Sequence, residues 1–303
     1  MLDIRAWGYG VVESTAPAGW EHFATQVAGL GVAPMAREDG VLSLKMDDYA
    51  WRLRVVKGSQ DRFLCPGWEL AGAQAFADAI RELDAAGIVW RRASAQECAA
   101  RRVEEMLSFT APGGLDCELF HGMVLDYLPP AAAAGSPRFV TGYHGNMGLG
   151  HSACATPDLA ASHRFFTQVM GFGQTDYLHL HMSPDPADPG QGLHFLHCNN
   201  PRHHSLALFE SATPMPGNLV HLMFEVPDID AVGAFMDRVH AHGVPIATNL
   251  GRHTNDRMVS LYVVTPAGFM LEYGYDGVQI DWSTYLPSRS ATTSHWGHRW
   301  GQG

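Results

Sequence analysis

Residues 25–31 read TQVAGLG and residues 167–173 read TQVMGFG, and these two stretches indicate an internal duplication. The segments that contain them, 8–31 and 150–173, align without a gap at an offset of 142 residues. Further along, APGGLDCELF from Ala111 lies over TPAGFMLEYG from Thr265 at an offset of 154 residues. The chain therefore contains two copies of one unit, and we assign the 12-residue difference to the proline-rich stretch SPDPADPGQG at 183–192.

Each copy is predicted to contain two smaller modules of one strand, one helix and three further strands. In the second copy, helical patterns follow Asp158 and Asp228, residues suited to capping a helix N-terminus. The predicted fold is α+β, with two tandem domains, each of two βαβββ modules that form a curved sheet around a cavity. The stretch PPAAAAGSPR at 129–138 is typical of a linker. We therefore expect domains at 1–135 and 136–288, followed by a flexible end at 289–303.

The composition excludes several classes of protein. Hydrophobic residues make up 46% of the 303 residues, enough for substantial cores, and this excludes a disordered chain. The formal net charge of −11 argues against binding to nucleic acid or to an anionic membrane, because both would repel the chain. The sequence has no membrane-spanning apolar run, no secretory signal and no CxxC pair among its five cysteines. These features predict a cytoplasmic protein.

Histidine is the unusual component, with 17 residues that lie mostly in the second half of the chain. His151 and His221 begin the first strands of the third and fourth modules, and Glu272 lies on the last predicted strand. If the two modules pair around a local two-fold axis, the two imidazoles converge and Glu272 supplies an oxygen. Two imidazoles and a carboxylate leave open coordination positions, an arrangement suited to Fe(II) and also accepted by Mn(II). Zinc more often has a different ligand set.

The first copy provides an internal comparison for these three residues. Tyr9 stands at the position of His151, Cys65 lies near the position of His221, and Glu118 matches Glu272. A histidine that the fold required would be present in both copies. The sequence therefore predicts one metal site per chain, in the second domain, and a first domain without catalytic function.

The stretch RHTNDRMVSLYVVTPAGFMLE at 252–272 carries a family signature. It contains His, seven residues, Leu-Tyr, two residues, Thr-Pro-Ala-Gly, three residues and Glu, and HCNNPRHHSLALF at 197–209 accompanies it. With these motifs the chain resembles the two-domain type I extradiol ring-cleavage dioxygenases of the vicinal oxygen chelate superfamily. The resemblance covers residues 8 to about 285 and is closest to the enzymes that cleave 2,3-dihydroxybiphenyl and 1,2-dihydroxynaphthalene.

The resemblance implies a role for each matching residue. His151, His221 and Glu272 correspond to Fe(II) ligands, and His204 corresponds to the acid/base histidine, although the sequence leaves His203 open for that role. The remaining correspondences are His253 and Tyr262, which hydrogen-bond the substrate oxygens, and Asn255 and Asp256, which with His253 line the substrate end of the pocket. The family often forms homo-oligomers, and its partners are an aromatic diol and O2.

The sequence leaves two functions from different classes open. The first is extradiol cleavage of a bicyclic or aryl-substituted catechol by O2, in which a neutral imidazole collects a proton and returns it. The second is a metal-free protein that binds and sequesters an aromatic ligand on the same scaffold. The presence of all three ligand residues counts against the second. A glyoxalase-like isomerisation would need ligands from both copies, which the first copy does not offer.

Overall fold

The computed structural model describes residues 2–35, 38–128, 139–140, 148–181, 185 and 187–301. The predicted domain boundary at 135 and the whole predicted linker lie outside these residues, so the boundary stays a prediction. Every strand of the first sheet ends by His121, and the first strand of the second sheet begins at Leu149.

The first sheet, in the described part of the chain, contains eight strands. They are β1 (Ile4–Ser14), β2 (Gly31–Val32), β3 (Val41–Lys45), β4 (Leu53–Lys57), β5 (Arg62–Leu70), β6 (Trp90–Arg92), β7 (Glu105–Thr110) and β8 (Asp116–His121). Its helices are α1 (Pro17–His22), which continues as a π-helix over Phe23–Ala28, α2 (Ala73–Ala85) and α3 (Ala95–Arg101). Apolar side chains of α1, of its π-helical continuation and of α2 join the main buried core, whereas Cys98 of α3 lies in a separate buried cluster with Tyr9.

The second sheet carries the predicted functional residues. Its strands are β9 (Leu149–Thr156), β10 (Gly173–Leu180), β11 (Gln191–His197), β12 (Leu206–Glu210), β13 (Leu219–Glu225), β14 (Ile246–His253), β15 (Val259–Val264), β16 (Met270–Tyr275), β17 (Ser288–Ser290) and β18 (Ser294–Trp296). Its helices are α4 (Leu159–Gln168) and α5 (Ile229–Ala241), with a short 3₁₀ turn at Pro216–Asn218. None of the helices in the described ranges has the length and apolar character needed to cross a membrane.

The strand orders confirm the predicted duplication. The first sheet runs β2-β3-β4-β1-β5-β8-β7-β6, and the second runs β17-β10-β11-β12-β9-β13-β16-β15-β14-β18. Without its two outer strands, the second order repeats the first. In each sheet two βαβββ modules meet at a central antiparallel pair, β1 with β5 and β9 with β13. The predicted α+β fold of four modules in two curved sheets is therefore confirmed.

Local sequence explains where the two helices of the second domain begin. The Asp158 side chain accepts a hydrogen bond from the Ala161 backbone N–H at 2.9 Å, and Asp228 accepts one from Ala231 at 2.8 Å. Such caps satisfy backbone donors that have no partner inside the helix. Both predicted N-termini are confirmed, and the helices fix the spacing between the first and second strands of their modules.

The C-terminal end corrects one expectation. Residues 289–303 are predicted from sequence to be flexible, but Ser288–Ser290 pairs with β10 and Ser294–Trp296 pairs with β14. The prediction is wrong for the described part of this segment. Its polar, glycine-containing sequence does not resemble a strand, and its two short strands form only by pairing with the edges of the folded sheet. The segment lies along β14, the strand that ends with His253.

Candidate metal centre

Three side chains converge on the second sheet. His151 Nε2 lies 3.0 Å from His221 Nε2, and Glu272 Oε2 lies 3.1 Å from His151 Nε2 and 3.4 Å from His221 Nε2. His151 and Glu272 are buried and His221 is half-buried. Among the residues that the structure describes, no other group of three or more potential ligands converges in this way. The sequence prediction of where these three residues meet therefore agrees with the structure.

The distances fit a single metal ion. Ligand atoms about 2.1 Å from one ion lie about 3.0 Å apart at right angles and about 3.4 Å apart at tetrahedral angles. The three separations fall between these values. Two imidazole nitrogens and a carboxylate oxygen leave the other side of such an ion open. The residues present thus fit the divalent metal that the family signature implies.

Strand pairing brings the three residues together. His221 on β13 lies opposite Ala153 of β9, which stands two residues after His151 and projects to the same side of the sheet. Glu272 on β16 is opposite Tyr262 of β15, so the carboxylate and the phenol share that side. The antiparallel pair at the local two-fold axis therefore supplies the imidazoles, and the neighbouring strand supplies the carboxylate.

The two oxygens of Glu272 have different surroundings. Oε2 faces the two imidazoles, whereas Oε1 accepts a hydrogen bond from Ser260 Oγ at 2.6 Å. Burial opposes ionisation, but the hydrogen bonds from His151 and its neighbours hold the pKa of Glu272 well below its usual range. The carboxyl is therefore an anion with one oxygen directed at the candidate metal position.

His204 lies beside the candidate ligands, and His203 faces away from them. The His204 ring lies 4.0 Å from the His151 ring, centroid to centroid, and both histidines are buried. His203 Nε2 lies 2.9 Å from Asp176 Oδ2, and His203 Nδ1 lies 3.1 Å from His204 Nδ1. Burial, followed by the nearby His151, holds the pKa of His204 well below its usual range, so the imidazole is neutral.

These contacts determine where the protons of the pair reside. Burial disfavours the Asp176 anion, but hydrogen bonds from His203 and Ser288 lower the pKa of Asp176 below its ordinary value. A carboxylate only accepts, so His203 Nε2–H donates to it, and when that ring carries one proton its Nδ1 accepts from His204 Nδ1–H. Nε2 of His204 is then the unprotonated nitrogen.

His253 lies near Oε1 of Glu272, whereas His151 and His221 lie near Oε2, and Tyr262 lies beside His253. His253 Nε2 is 2.8 Å from the Tyr262 hydroxyl and 3.3 Å from Glu272 Oε1, and its Nδ1–H donates to the Thr293 carbonyl at 3.0 Å. Burial opposes a charge on His253, but the Glu272 carboxylate outweighs it and raises the pKa of His253 to about 9. The structure thus places both residues beside the candidate ligands.

Asp256 and Asn255, the other two residues predicted to line the pocket, have different surroundings. Asp256 is buried, its Oδ2 lies 3.9 Å from His204 Nδ1, and it shares a small cavity with His151 and His204. Asn255 is half-buried in the turn after β14, and its side chain makes no hydrogen bond within the described residues. Asp256 therefore lies beside the histidines of the candidate site, whereas Asn255 makes no hydrogen bond to them within the described residues.

An apolar row continues from the candidate ligands across the sheet. Phe195 on β11 lies opposite Ala207 on β12, Ala207 lies opposite Ala153, and Ala153 lies opposite His221. The Phe195 ring is 4.8 Å from the His204 ring, and Leu178 joins the same buried cluster. Between the phenylalanine and His221, this row therefore carries only the small side chains of Ala207 and Ala153.

The matching positions of the first sheet are filled differently. Tyr9, Cys65 and Glu118 take the three places, because β5 pairs with β8 in the register that β13 has with β16. The Tyr9 hydroxyl donates to Glu118 Oε2 at 2.6 Å, and the Arg101 guanidinium donates to both Glu118 oxygens at 2.9 and 2.8 Å. The Arg101 guanidinium supplies the positive charge that a metal ion would supply in the second copy. The first copy therefore has an Arg101–Glu118 ion pair at the position of the candidate metal site.

This ion pair leads to a prediction about stability. Arg101→Met should lower the free energy of unfolding by about 3 kcal/mol or more, because it leaves the Glu118 carboxylate buried without its cation. Urea denaturation measures the loss. Arg91→Met, which breaks an exposed pair with Glu97, is the matched control and should change stability much less. Equal effects of the two substitutions would contradict the interpretation.

Sequence reasoning missed three residues of this region: Asp176, Ser260 and His298. Ser260 could have been found, since it lies two residues before Tyr262 on one strand and so projects to the same side. Asp176 and His298 approach the cluster from distant segments, through His203 and Ser260 respectively. Their spacing along the chain gives no signal of that approach.

Two models of known protein families match this chain, one in each of its two copies. Residues 148–273 match the model of the Glyoxalase/Bleomycin resistance protein/Dioxygenase superfamily, and residues 7–58 match that of the first domain of dihydroxybiphenyl dioxygenase BphC. The first match contains all three candidate ligands.

Similarity to individual proteins extends over nearly the whole chain. An iron-dependent extradiol dioxygenase of Rhodococcus jostii (strain RHA1) is 37% identical over 98% of this chain and 97% of its own length. A biphenyl-2,3-diol 1,2-dioxygenase of Paraburkholderia xenovorans (strain LB400) is also 37% identical, over 98% and 96%. The crystal structure of BphC, a halotolerant catechol dioxygenase, superposes with a TM-score of 0.86 at 35% identity, covering 98% of this chain and 95% of that one.

Proposed function

Because this chain belongs to the extradiol ring-cleavage dioxygenases of the vicinal oxygen chelate superfamily, we propose that it opens an aryl-substituted or bicyclic catechol next to its diol. Both atoms of O2 enter the ring-opened product, as in aromatic degradation. The observation that carries the proposal is the convergence of His151, His221 and Glu272 beside the neutral imidazole of His204.

The proposed metal is Fe(II), held by His151, His221 and Glu272. Two imidazoles and one carboxylate are the donor set typical of non-haem Fe(II) oxygenases, and Mn(II) accepts the same donors. When bound, a ferrous ion supplies the open coordination positions and the electron transfer that ring cleavage by O2 requires. Burial of the carboxylate and of His151 keeps bulk water away from that position.

His204 is the proposed acid/base. A catechol loses a proton when it binds through its two oxygens, and Nε2 of a neutral His204 ring is the proposed acceptor of that proton. The resulting imidazolium keeps its Nδ1–H on His203, whose other nitrogen donates to Asp176. The same group then returns a proton to the ring-opened product. This geometry favours His204 over His203, because the Asp176 carboxylate already occupies His203 Nε2.

His253 and Tyr262 are proposed to orient the diol. Their imidazole and phenol groups are joined at 2.8 Å and both adjoin Glu272, so together they can hydrogen-bond a substrate oxygen near the metal. Fixed donors aimed at a developing oxyanion stabilise it more in a buried site than in water. Asp256 and Asn255, with His253, are proposed to line the substrate end of the pocket.

The proposed substrate class follows from the apolar row. Ala153, Ala207 and Phe195 extend from His221 across three strands on one side of the sheet, a surface suited to a second aromatic ring. We expect kcat/KM for 2,3-dihydroxybiphenyl to exceed that for catechol by about tenfold or more, since burying a phenyl ring against apolar side chains favours the larger substrate.

Colour development tests the function directly. The purified, iron-loaded chain mixed with 2,3-dihydroxybiphenyl in air should give a yellow ring-opened product, followed by its visible absorbance. Catechol and 1,2-dihydroxynaphthalene complete the series that measures preference. Absence of any absorbance change with all three diols, at full iron occupancy, would reject the proposal. A metal-free sequestering protein would instead bind the diols unchanged and purify without stoichiometric iron.

The cellular setting is part of the proposal. All five cysteines are free and buried in the structure, as expected for thiols in the reducing cytoplasm. The same compartment keeps iron ferrous. We further propose a homo-oligomer, as the family resemblance suggests, and light scattering on the purified protein measures its subunit number.

A further inference from the structure

The C-terminal segment Thr293–Trp300 lies along β14, next to the candidate metal centre. Ser294 pairs with His253, Trp296 pairs with Arg252, and Trp300 forms a bridge with Thr248. The Trp300 ring also lies 5.9 Å from that of Tyr262. The segment therefore runs antiparallel to the strand that carries His253 and contacts the side chains around Glu272.

Two glycines allow this close approach. A Cβ on Gly251 of β14 would lie 2.5 Å from the backbone nitrogen of His298, and a Cβ on Gly297 would lie 2.1 Å from the Leu250 carbonyl oxygen. Gly297 also has a φ of 74°, a left-handed conformation that favours glycine. The docking of the segment is thus built into both partners.

His298 connects this segment to the carboxylate of Glu272. Its Nε2 lies 3.0 Å from the Ser260 carbonyl oxygen and 3.2 Å from Ser260 Oγ, and its Nδ1 lies 2.8 Å from Ser294 Oγ. Ser260 Oγ in turn donates to Glu272 Oε1 at 2.6 Å. The His298 ring is buried and stacks on the His253 ring at 4.1 Å.

The direction of these hydrogen bonds is determined by their acceptors. Burial and the nearby His253 lower the pKa of His298 to about 4, so the ring is neutral and carries one proton. A carbonyl oxygen only accepts, so that proton is on Nε2, and Nδ1 accepts from the Ser294 hydroxyl. Because Nε2–H also approaches Ser260 Oγ, the hydroxyl proton of Ser260 is directed towards Glu272.

We propose that His298 is a positioning residue of the metal centre, which holds the Ser260 hydroxyl on Oε1 of Glu272 and so leaves Oε2 for the ion. The proposal rests on the proposed function only in requiring a metal at His151, His221 and Glu272. Groups that hydrogen-bond a ligand fix its orientation, and their loss typically weakens metal binding by about 10- to 100-fold. The Thr293 carbonyl, which accepts from His253 Nδ1–H, adds a second link from the same segment.

Metal affinity tests the proposal without any turnover. Metal-free wild type and variants are titrated with Mn(II), and with Fe(II) under argon, and the Kd is measured by calorimetry. His298→Met introduces an apolar side chain of comparable size that cannot hydrogen-bond Ser260 and should weaken the Kd by about tenfold or more. His298→Gln, whose Nε2 can still donate to Ser260, should recover most of the affinity. His295→Ala, an exposed histidine on the same segment, is the matched control and should bind as wild type.

Each outcome decides the matter. A folded His298→Met protein, by circular dichroism, with the wild-type Kd would overturn the role, and so would equal losses in the Met and Gln variants. If His298→Met does not fold, Ser294→Ala decides: a weaker Kd supports the role and a wild-type Kd refutes it. Wild type that binds Mn(II) but cleaves no catechol would reject the proposed function and leave this inference standing.

Discussion

Glu272→Ala is expected to purify without stoichiometric iron and to show no ring cleavage. The substitution removes the only anionic ligand and leaves two imidazoles, and we expect metal affinity to fall by about 100-fold or more. Oε2 of Glu272 lies within 3.4 Å of both imidazole nitrogens, and among the described residues no other carboxylate converges with them. Iron analysis of the anaerobically loaded protein, together with a Mn(II) titration, measures the loss.

The first domain supplies the control for this substitution. Glu118 holds the matching position on the first sheet but pairs with Arg101. Glu118→Ala should lower the stability of the first domain and leave iron content at one per chain. Full iron content in Glu272→Ala, or loss of iron in Glu118→Ala, would contradict the assignment of the site to the second domain.

His204→Ala is expected to retain iron and to bind catechols but to turn over about 100-fold more slowly or worse, the usual loss for a positioned acid/base. The His204 ring contacts His151 without being among the three convergent ligands, so its removal leaves the metal in place. Single-turnover kinetics with 2,3-dihydroxybiphenyl, alongside iron analysis, separates the loss of chemistry from a loss of metal. Unchanged turnover would remove His204 from the mechanism.

Substitutions of two further histidines serve as comparisons for His204→Ala. His194 lies next to Phe195 on β11 and projects to the other side of the sheet, so His194→Ala should keep near-wild-type turnover. His203→Ala should lower turnover less than His204→Ala does, because His203 acts on the substrate only through its neighbour. A larger loss from His203→Ala would transfer the acid/base role to His203, the alternative that the sequence leaves open.

Much of the fold was predictable because the chain repeats itself. The paired stretches ending at Gly31 and Gly173 revealed the two copies, and the capping residues Asp158 and Asp228 located the N-termini of two helices. Strand β14 and the two strands after residue 287 were not predicted individually. Their sequences lack alternation of polar and apolar residues, and their pairing depends on edges that exist only after the rest of the sheet has formed.

The site was predictable where its residues lie on regular strands and match the family signature. His151, His221 and Glu272 converge as expected, and His253 and Tyr262 adjoin them. His298 was not found, because its contact with Ser260 joins residues 38 positions apart through a segment that the sequence presents as a flexible end. Asp176 was missed for a similar reason, since a tertiary contact with His203 gives it its place.

Anomalous diffraction at the iron absorption edge tests the central claim most directly. Crystals of the anaerobically iron-loaded protein should show one strong peak per chain, about 2.0–2.3 Å from His151 Nε2, His221 Nε2 and Glu272 Oε2. A protein that contains stoichiometric iron but shows its peak elsewhere, or shows one of these three side chains directed away from it, would contradict the account.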